Sequence, residues 1–300
     1  MKKKIIPWID SLRLKTLPLA LSAILIGNAL AYWQQHFNSS IMVFTLITAA
    51  LLQILSNLAN DYGDAIKGAD KLDRIGPLRG IQKGLITLKQ LQVALAINIL
   101  LCLASGLMLL ILACDTFAQF GQFILLGIVS IIAAMTYTIG KKPYGYIGLG
   151  DLSVLIFFGL VSILGSYYLQ AKELPLFLLY PAIGCGLLSV AVLNINNLRD
   201  VKSDKLNNKR TFIVLIGENA GCYYHAALLI LAFLLLAHFS FYYLKTLWSY
   251  SFLLATPLVY MQIYNVFKFR STTAIAPLLF KMVKLAMLAN VLYCLGIVLS

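Results

Sequence analysis

The sequence predicts an all-α polytopic membrane protein, with nine transmembrane helices around a central cavity in one domain covering residues 1–300. Three observations predict it. The chain is 61% hydrophobic and 12% charged, about half the roughly 25% charge of soluble domains. Apolar runs of the length that crosses a bilayer as a helix, about 20 residues, recur along the whole chain. Long alternating strand segments are missing, which disfavours an outer-membrane barrel.

In chain order the spans read as Leu17–Trp33, Ile41–Leu58, Leu91–Ala113, Gln119–Thr138, Gly148–Leu169, Leu174–Leu193, Gly221–Tyr243, Leu247–Val266 and Pro277–Leu299. The first follows Lys2, Lys3 and Lys4, as the apolar core of a signal peptide would. No small-residue cleavage site precedes Gln34 and eight more spans follow, so it is expected to be retained. Short polar connections suit antiparallel neighbours in a bundle. The five cysteines (Cys102, Cys114, Cys185, Cys222, Cys294) lack metal-site spacing and read as small apolar filler.

Cations set the expected orientation. Nine spans put the N-terminus and the loops after spans 2, 4, 6 and 8 on one side, which carries 22 of the 24 Lys and Arg. The other side has only Lys172 and Lys245. The N-terminus is therefore expected to be cytoplasmic and the C-terminus external. That bias, with anionic lipid, accounts for a net charge of +13; no nucleic-acid partner is needed.

Six of the 11 acidic residues fall in two loops on the cation-rich side: Asp61, Asp64, Asp70 and Asp73, then Asp200 and Asp204. Each group follows the end of a span and is preceded by asparagines. At 100° per residue, Asn57, Asn60, Asp61 and Asp64 share an arc of roughly 100°. Asn196, Asp200 and Asp204 step by four and share about 80°. A solvated helix end is the bland alternative, and two physical points weigh against it. Carboxylates at a helix C-terminus meet the negative end of the macrodipole, and polar groups near the membrane cost desolvation unless paired. A bound cation removes both objections, and clustered carboxylate and amide oxygens suit Mg²⁺. Arg74, Arg79, Lys83, Lys209 and Arg210 follow the acids closely, as a metal-bridged diphosphate would require. The motifs lie four spans apart, so a weak four-helix repeat would face them across the cavity.

With these residues in place the chain resembles the UbiA superfamily of intramembrane prenyltransferases over nearly its whole length. The paired motifs are Asn60-Asp61-x-x-Asp64 and Asn196-xxx-Asp200-xxx-Asp204. More specific stretches are Arg13-Leu-Lys15-Thr16-Leu-Pro18, Asn57-Leu-Ala-Asn-Asp-Tyr-Gly-Asp64, Arg74-Ile-Gly-Pro-Leu-Arg79-Gly80, Lys141-Lys-Pro-Tyr-Gly-Tyr-Ile-Gly148 and Asn194-Ile-Asn-Asn-Leu-Arg-Asp200. Together these resemble the branch that acts on 1,4-dihydroxy-2-naphthoate. The chain departs from relatives at Gly68, where many have a third Asp that Asp70 would replace, at Asn196, where other branches have Asp, and at Leu14, where Pro is common.

The resemblance implies transfer of an all-trans polyprenyl group from polyprenyl diphosphate to 1,4-dihydroxy-2-naphthoate. Diphosphate and CO₂ would leave, and demethylmenaquinol would form for menaquinone biosynthesis. It implies Mg²⁺ as cofactor, and a place in the bilayer of the bacterial cytoplasmic (inner) membrane. Asp61, Asp64, Asp200 and Asp204 become the expected catalytic acids and, with Asn60 and Asn196, the metal ligands. Arg74, Arg79, Lys83, Lys141, Lys209 and Arg210 are expected on the diphosphate, and Arg13 and Arg199 on the acceptor's carboxylate. Tyr137 and Tyr62 are candidates to face an allylic cation, against a plain role in bundle packing. Two other readings remain open here, a relative using 4-hydroxybenzoate or another aromatic acceptor, and a transporter. The transporter is disfavoured because the polar groups gather at one face rather than at mid-span.

Overall fold

The computed structural model describes residues 2–14, 17–67, 79–270 and 272–300. Asp70, Asp73 and Arg74 lie outside the described residues. Every described element is helical. In order they are α1 (Lys2–Leu12), α2 (Leu17–Trp33), α3 (Ser39–Ile66), α4 (Leu88–Ala113), α5 (Phe117–Thr136), α6 (Gly150–Val154), α7 (Ser162–Ala171), α8 (Leu179–Leu206), α9 (Phe212–Ile216), α10 (Glu218–Phe239), α11 (Thr256–Lys268) and α12 (Thr272–Val298).

Each expected span has a helical counterpart, but the count of nine is not established. Among the described residues seven helices are long and apolar enough to cross a membrane, or eight if α1 and α2 form one bent span. α2 has only 17 residues. The eighth expected span is split: Trp248–Ala255 is 3₁₀-helical and α11 begins at Thr256. Pro257 explains the break, since its ring would clash with the carbonyl four residues back in a continuous α-helix. The fifth span is interrupted as well, by a π-helical stretch at Leu155–Val161 between α6 and α7.

α3 and α8 carry the two acidic motifs, and each has 28 residues. At 1.5 Å per residue that is roughly 42 Å, about two turns more than a 30 Å hydrocarbon layer. The acidic turns are thus continuations of the spans themselves. Asn38 caps α3 by accepting from the amides of Ser40 and Ile41. Thr87 and Thr116 start α4 and α5 with capping boxes to Gln90 and Gln119.

α8 packs against α10 and α12 through Leu187, Leu188, Ala191, Leu229, Ala286 and Ala289, all buried. α5 differs, having no buried residue. It leans on α3 and α4 and closes one wall of a large internal cavity. Gly63 lets α3 approach the end of α5: a Cβ there would stand 2.6 Å from the Thr138 hydroxyl. Thr138 in turn donates to the carbonyl of Ala59 at 3.0 Å.

Candidate active site

The cavity has a volume of about 840 Å³ and is lined from α1 through α8 and by α12. Its wall along α3 runs from Thr45 to Asp64, roughly 28 Å at 1.5 Å per residue. The far end is apolar, with Leu109, Leu110, Phe123 and Leu169. It is braced there by Phe123 stacked on Tyr168 at 5.5 Å. The other end is polar and gathers both motifs: Asn57, Asn60 and Asp64 from α3, Asn196 and Asp200 from α8.

Each motif is wired to arginine. Asp61 is fully buried, and its Oδ1 accepts from Arg13 at 2.9 Å and Arg79 at 2.5 Å. Arg13 has φ 50°, and that left-handed turn after α1 aims its guanidinium at α3. Arg79 also lies 3.5 Å from Asp64, so one guanidinium spans both acids of the first motif. Arg199 forks onto Asp200 at 2.7 and 2.5 Å and donates to Asn196 Oδ1 at 2.8 Å. Lys209 reaches Asp204 at 3.6 Å. These pairs offset the unfavourable macrodipole at the two helix ends.

The expected site residues do not all converge. Asn60, Asp64, Asn196, Asp200, Arg13, Arg79, Arg199 and Lys209 line the cavity. Asp61 and Asp204 are buried and off the cavity wall. Lys83 is placed elsewhere: it is exposed and paired with Asp10 of α1 at 3.1 Å. Lys141 and Arg210 are exposed and off the cavity wall. Tyr137 lines the cavity, edge-on to Tyr144 at 5.2 Å. Tyr62 instead turns to α4, where its hydroxyl accepts from Gln92.

Two residues were missed. Tyr146 is buried and donates its hydroxyl to Asp64 at 2.9 Å. Lys67 holds its ammonium 4.3 Å from the Tyr146 ring centre. Desolvation lowers the Lys67 pKa, with Asp64 pulling it the other way. The signals were available in the Gly/Pro-punctuated Lys141–Gly148 stretch and in the three-residue step from Asp64 to Lys67. Gly145 makes the turn possible, because a Cβ there would lie 2.7 Å from the carbonyl oxygen of Tyr137.

A divalent cation fits the donors present. Asn60 Oδ1, Asp61 Oδ2 and Asp204 Oδ2 are buried without a hydrogen-bond donor. Buried oxygen acceptors left unpaired call for a cation or a water. Among the described residues no three Asp, Glu, His or Cys side chains form a closed cage. Mg²⁺ does not need one, since it commonly takes one or two carboxylates and completes its shell with water and substrate phosphate.

Comparison with known proteins agrees with this geometry. The model of the UbiA prenyltransferase family matches residues 20–288. A protein of Escherichia coli called 1,4-dihydroxy-2-naphthoate octaprenyltransferase is 55% identical over 293 residues, 98% of this chain and 95% of that one. A Haemophilus influenzae protein of the same description is 44% identical over 302 residues, 100% of this chain and 98% of its own. The solved structure of a UbiA homolog from Archaeoglobus fulgidus bound to GPP and Mg²⁺ superposes with a TM-score of 0.60. Its identity is 15%, over 96% of this chain and 99% of that one; it therefore bears on the fold alone.

Proposed function

The chain belongs to the UbiA prenyltransferase family, and from that premise we propose that it prenylates 1,4-dihydroxy-2-naphthoate with a polyprenyl diphosphate, releasing diphosphate and CO₂. The product is demethylmenaquinol, on the route to menaquinone. One observation carries the reading: a single cavity joins two Asn/Asp edges and a set of cations to a long apolar chamber. That is the shape of a reagent with a charged head and a hydrocarbon tail. The acceptor follows from the two full-length relatives.

Asn60 and Asp64 would hold one Mg²⁺ and Asn196 and Asp200 the other, with Asp61 and Asp204 as adjacent ligands, directly or through water. Bound with diphosphate, such ions supply charge stabilisation to the leaving group. Arg79 and Lys209 add fixed positive charge as the C1–O bond breaks and its electron pair departs with diphosphate. Arg74, outside the described residues, is assigned the same task by resemblance. Lys83, Lys141 and Arg210, exposed and off the cavity wall, are not assigned to the bound head. Arg13 and Arg199 present guanidinium groups to the acceptor carboxylate. The Tyr137 ring faces the electron-poor allylic carbon, and the apolar walls exclude water that would capture it. The electron-rich ring then bonds to C1 through its carboxylated carbon. Breakage of the bond to the carboxylate returns the electrons to the ring and frees CO₂. No strong base is required.

The 22-to-2 cation split, counted for nine spans, supports acidic ends in the cytoplasm and a C-terminus outside, in the inner membrane. The test is product identification by mass spectrometry. Purified protein receives Mg²⁺, an all-trans polyprenyl diphosphate, and naphthoate or 4-hydroxybenzoate. Prenylated naphthoquinol is expected; turnover of 4-hydroxybenzoate but not of naphthoate would overturn the acceptor.

A further inference from the structure

The two acidic edges need a fixed spacing if they are to share one diphosphate, yet they sit on different helices, α3 and α8. Few described contacts cross between them at the polar end of the cavity. Tyr146, in the 3₁₀ turn Tyr144–Tyr146, touches both sides. Its hydroxyl donates to Asp64 Oδ1 of the first motif at 2.9 Å. Its ring lies 5.3 Å from the Lys209 ammonium, and Lys209 is itself 3.6 Å from Asp204 of the second motif. Its carbonyl accepts from the amide of Arg210 at 3.0 Å. Lys67, one turn beyond Asp64, stands over the same ring at 4.3 Å.

A tyrosine that only fills space needs no carboxylate under its hydroxyl and no ammonium over its ring. This one has one carboxylate and two ammoniums, all adjoining the polar end of the cavity. Ammonium groups over an aromatic face are held without being neutralised, so they keep their charge for an anion. A hydroxyl donating to one carboxylate oxygen fixes its orientation and leaves the other oxygen for another partner.

Resting on the prenyltransferase reading, we infer that Tyr146 is a positioning residue that sets the spacing of the two metal–diphosphate edges. By the same geometry Lys67 is a further diphosphate-binding cation, poised beside Lys209 by the Tyr146 ring. The two roles separate by substitution. Tyr146→Phe keeps the ring and the seats of both ammoniums and removes only the hydrogen bond to Asp64. Tyr146→Leu removes both, and Lys67→Gln removes one cation.

The experiment measures binding to the full-length purified protein in detergent, with Mn²⁺ counted by electron paramagnetic resonance and inorganic diphosphate followed by calorimetry. Tyr146→Phe should raise the Mn²⁺ dissociation constant about tenfold or more, the loss expected for one hydrogen bond to a charged group. Its diphosphate affinity at saturating Mn²⁺ should stay within about threefold, the ring still being in place. Lys67→Gln should show the reverse pattern, and Tyr146→Leu both losses. KM for the aromatic acceptor should not move in any of them. If Tyr146→Leu unfolds, the near-isosteric Tyr146→Phe decides. Unchanged Mn²⁺ binding in Tyr146→Phe, with a lowered melting temperature or a uniform fall in kcat, would make Tyr146 a packing residue and overturn the inference. An unsubstituted protein that binds neither Mn²⁺ nor diphosphate would overturn the prenyltransferase reading itself, a failure distinct from the first.

Discussion

Asp64 and Asp200, unlike Asp61 and Asp204, face the cavity, and each is held by named partners. Tyr146 and Arg79 hold Asp64, and Arg199 holds Asp200 by two bonds. Asp64→Asn and Asp200→Asn should each insert and fold normally, because an amide keeps the shape. Turnover should fall by roughly 10²–10³, the cost of losing one strong stabiliser of developing negative charge. Near-normal rates at low Mg²⁺ would reduce both acids to solvated helix ends. Arg199→Lys tests the fork separately: a lysine cannot bind Asp200 bidentately and reach Asn196 as well. We expect turnover to drop about tenfold or more, and full activity would show that the fork has no role. At this scale the acids were legible because Asn and Asp recur at helical spacing. Tyr146 was less so: the Gly/Pro-punctuated stretch marks its turn, but no periodicity links it to Asp64, 82 residues away. Lys83, expected on the diphosphate because it follows the first acids closely, is exposed and paired with Asp10 across the fold, a partner that its place in the sequence does not reveal.

Helices were easier to read than their interruptions. Apolar runs of bilayer length located every long helix, because burial of backbone polar groups in lipid leaves the chain little choice. α1 escaped, being short and holding both Lys2–Lys4 and Pro7. The 3₁₀ and π stretches escaped because composition does not change across them, although Pro257 marks one. The junction of α3 with the end of α5 offers a direct test. A Cβ at Gly63 would meet the Thr138 hydroxyl at 2.6 Å and its backbone carbon at 2.9 Å. Gly63→Val should cost about 1–3 kcal/mol through overpacking and lower the melting temperature in detergent. At Gly127 on α5 an added Cβ meets nothing within 4 Å, so Gly127→Val should leave the melting temperature unchanged. Equal shifts in the two variants would refute the close contact between α3 and the α5 terminus.

Taken whole, the molecule sets a charged, oxygen-rich head site at one face of the bundle and an apolar chamber beneath it. The orientation of that head site is testable in a cysteine-free background. Lys205→Cys, beside the second motif, should react with a membrane-impermeant maleimide only after cells are opened. His36→Cys, in the connection between α2 and α3, should react in intact cells. The opposite pattern would invert the topology. The central claim is that the cavity joins a prenyl chain to the carboxylated carbon of a dihydroxynaphthoate. Its most direct measurement uses 1,4-dihydroxy-2-naphthoate labelled in the carboxyl group, with polyprenyl diphosphate, Mg²⁺ and protein in proteoliposomes. Released label and prenylated product are counted together. The account predicts one labelled CO₂ for each prenylated molecule, and none without diphosphate donor or metal; prenylated product that retains its label would contradict it.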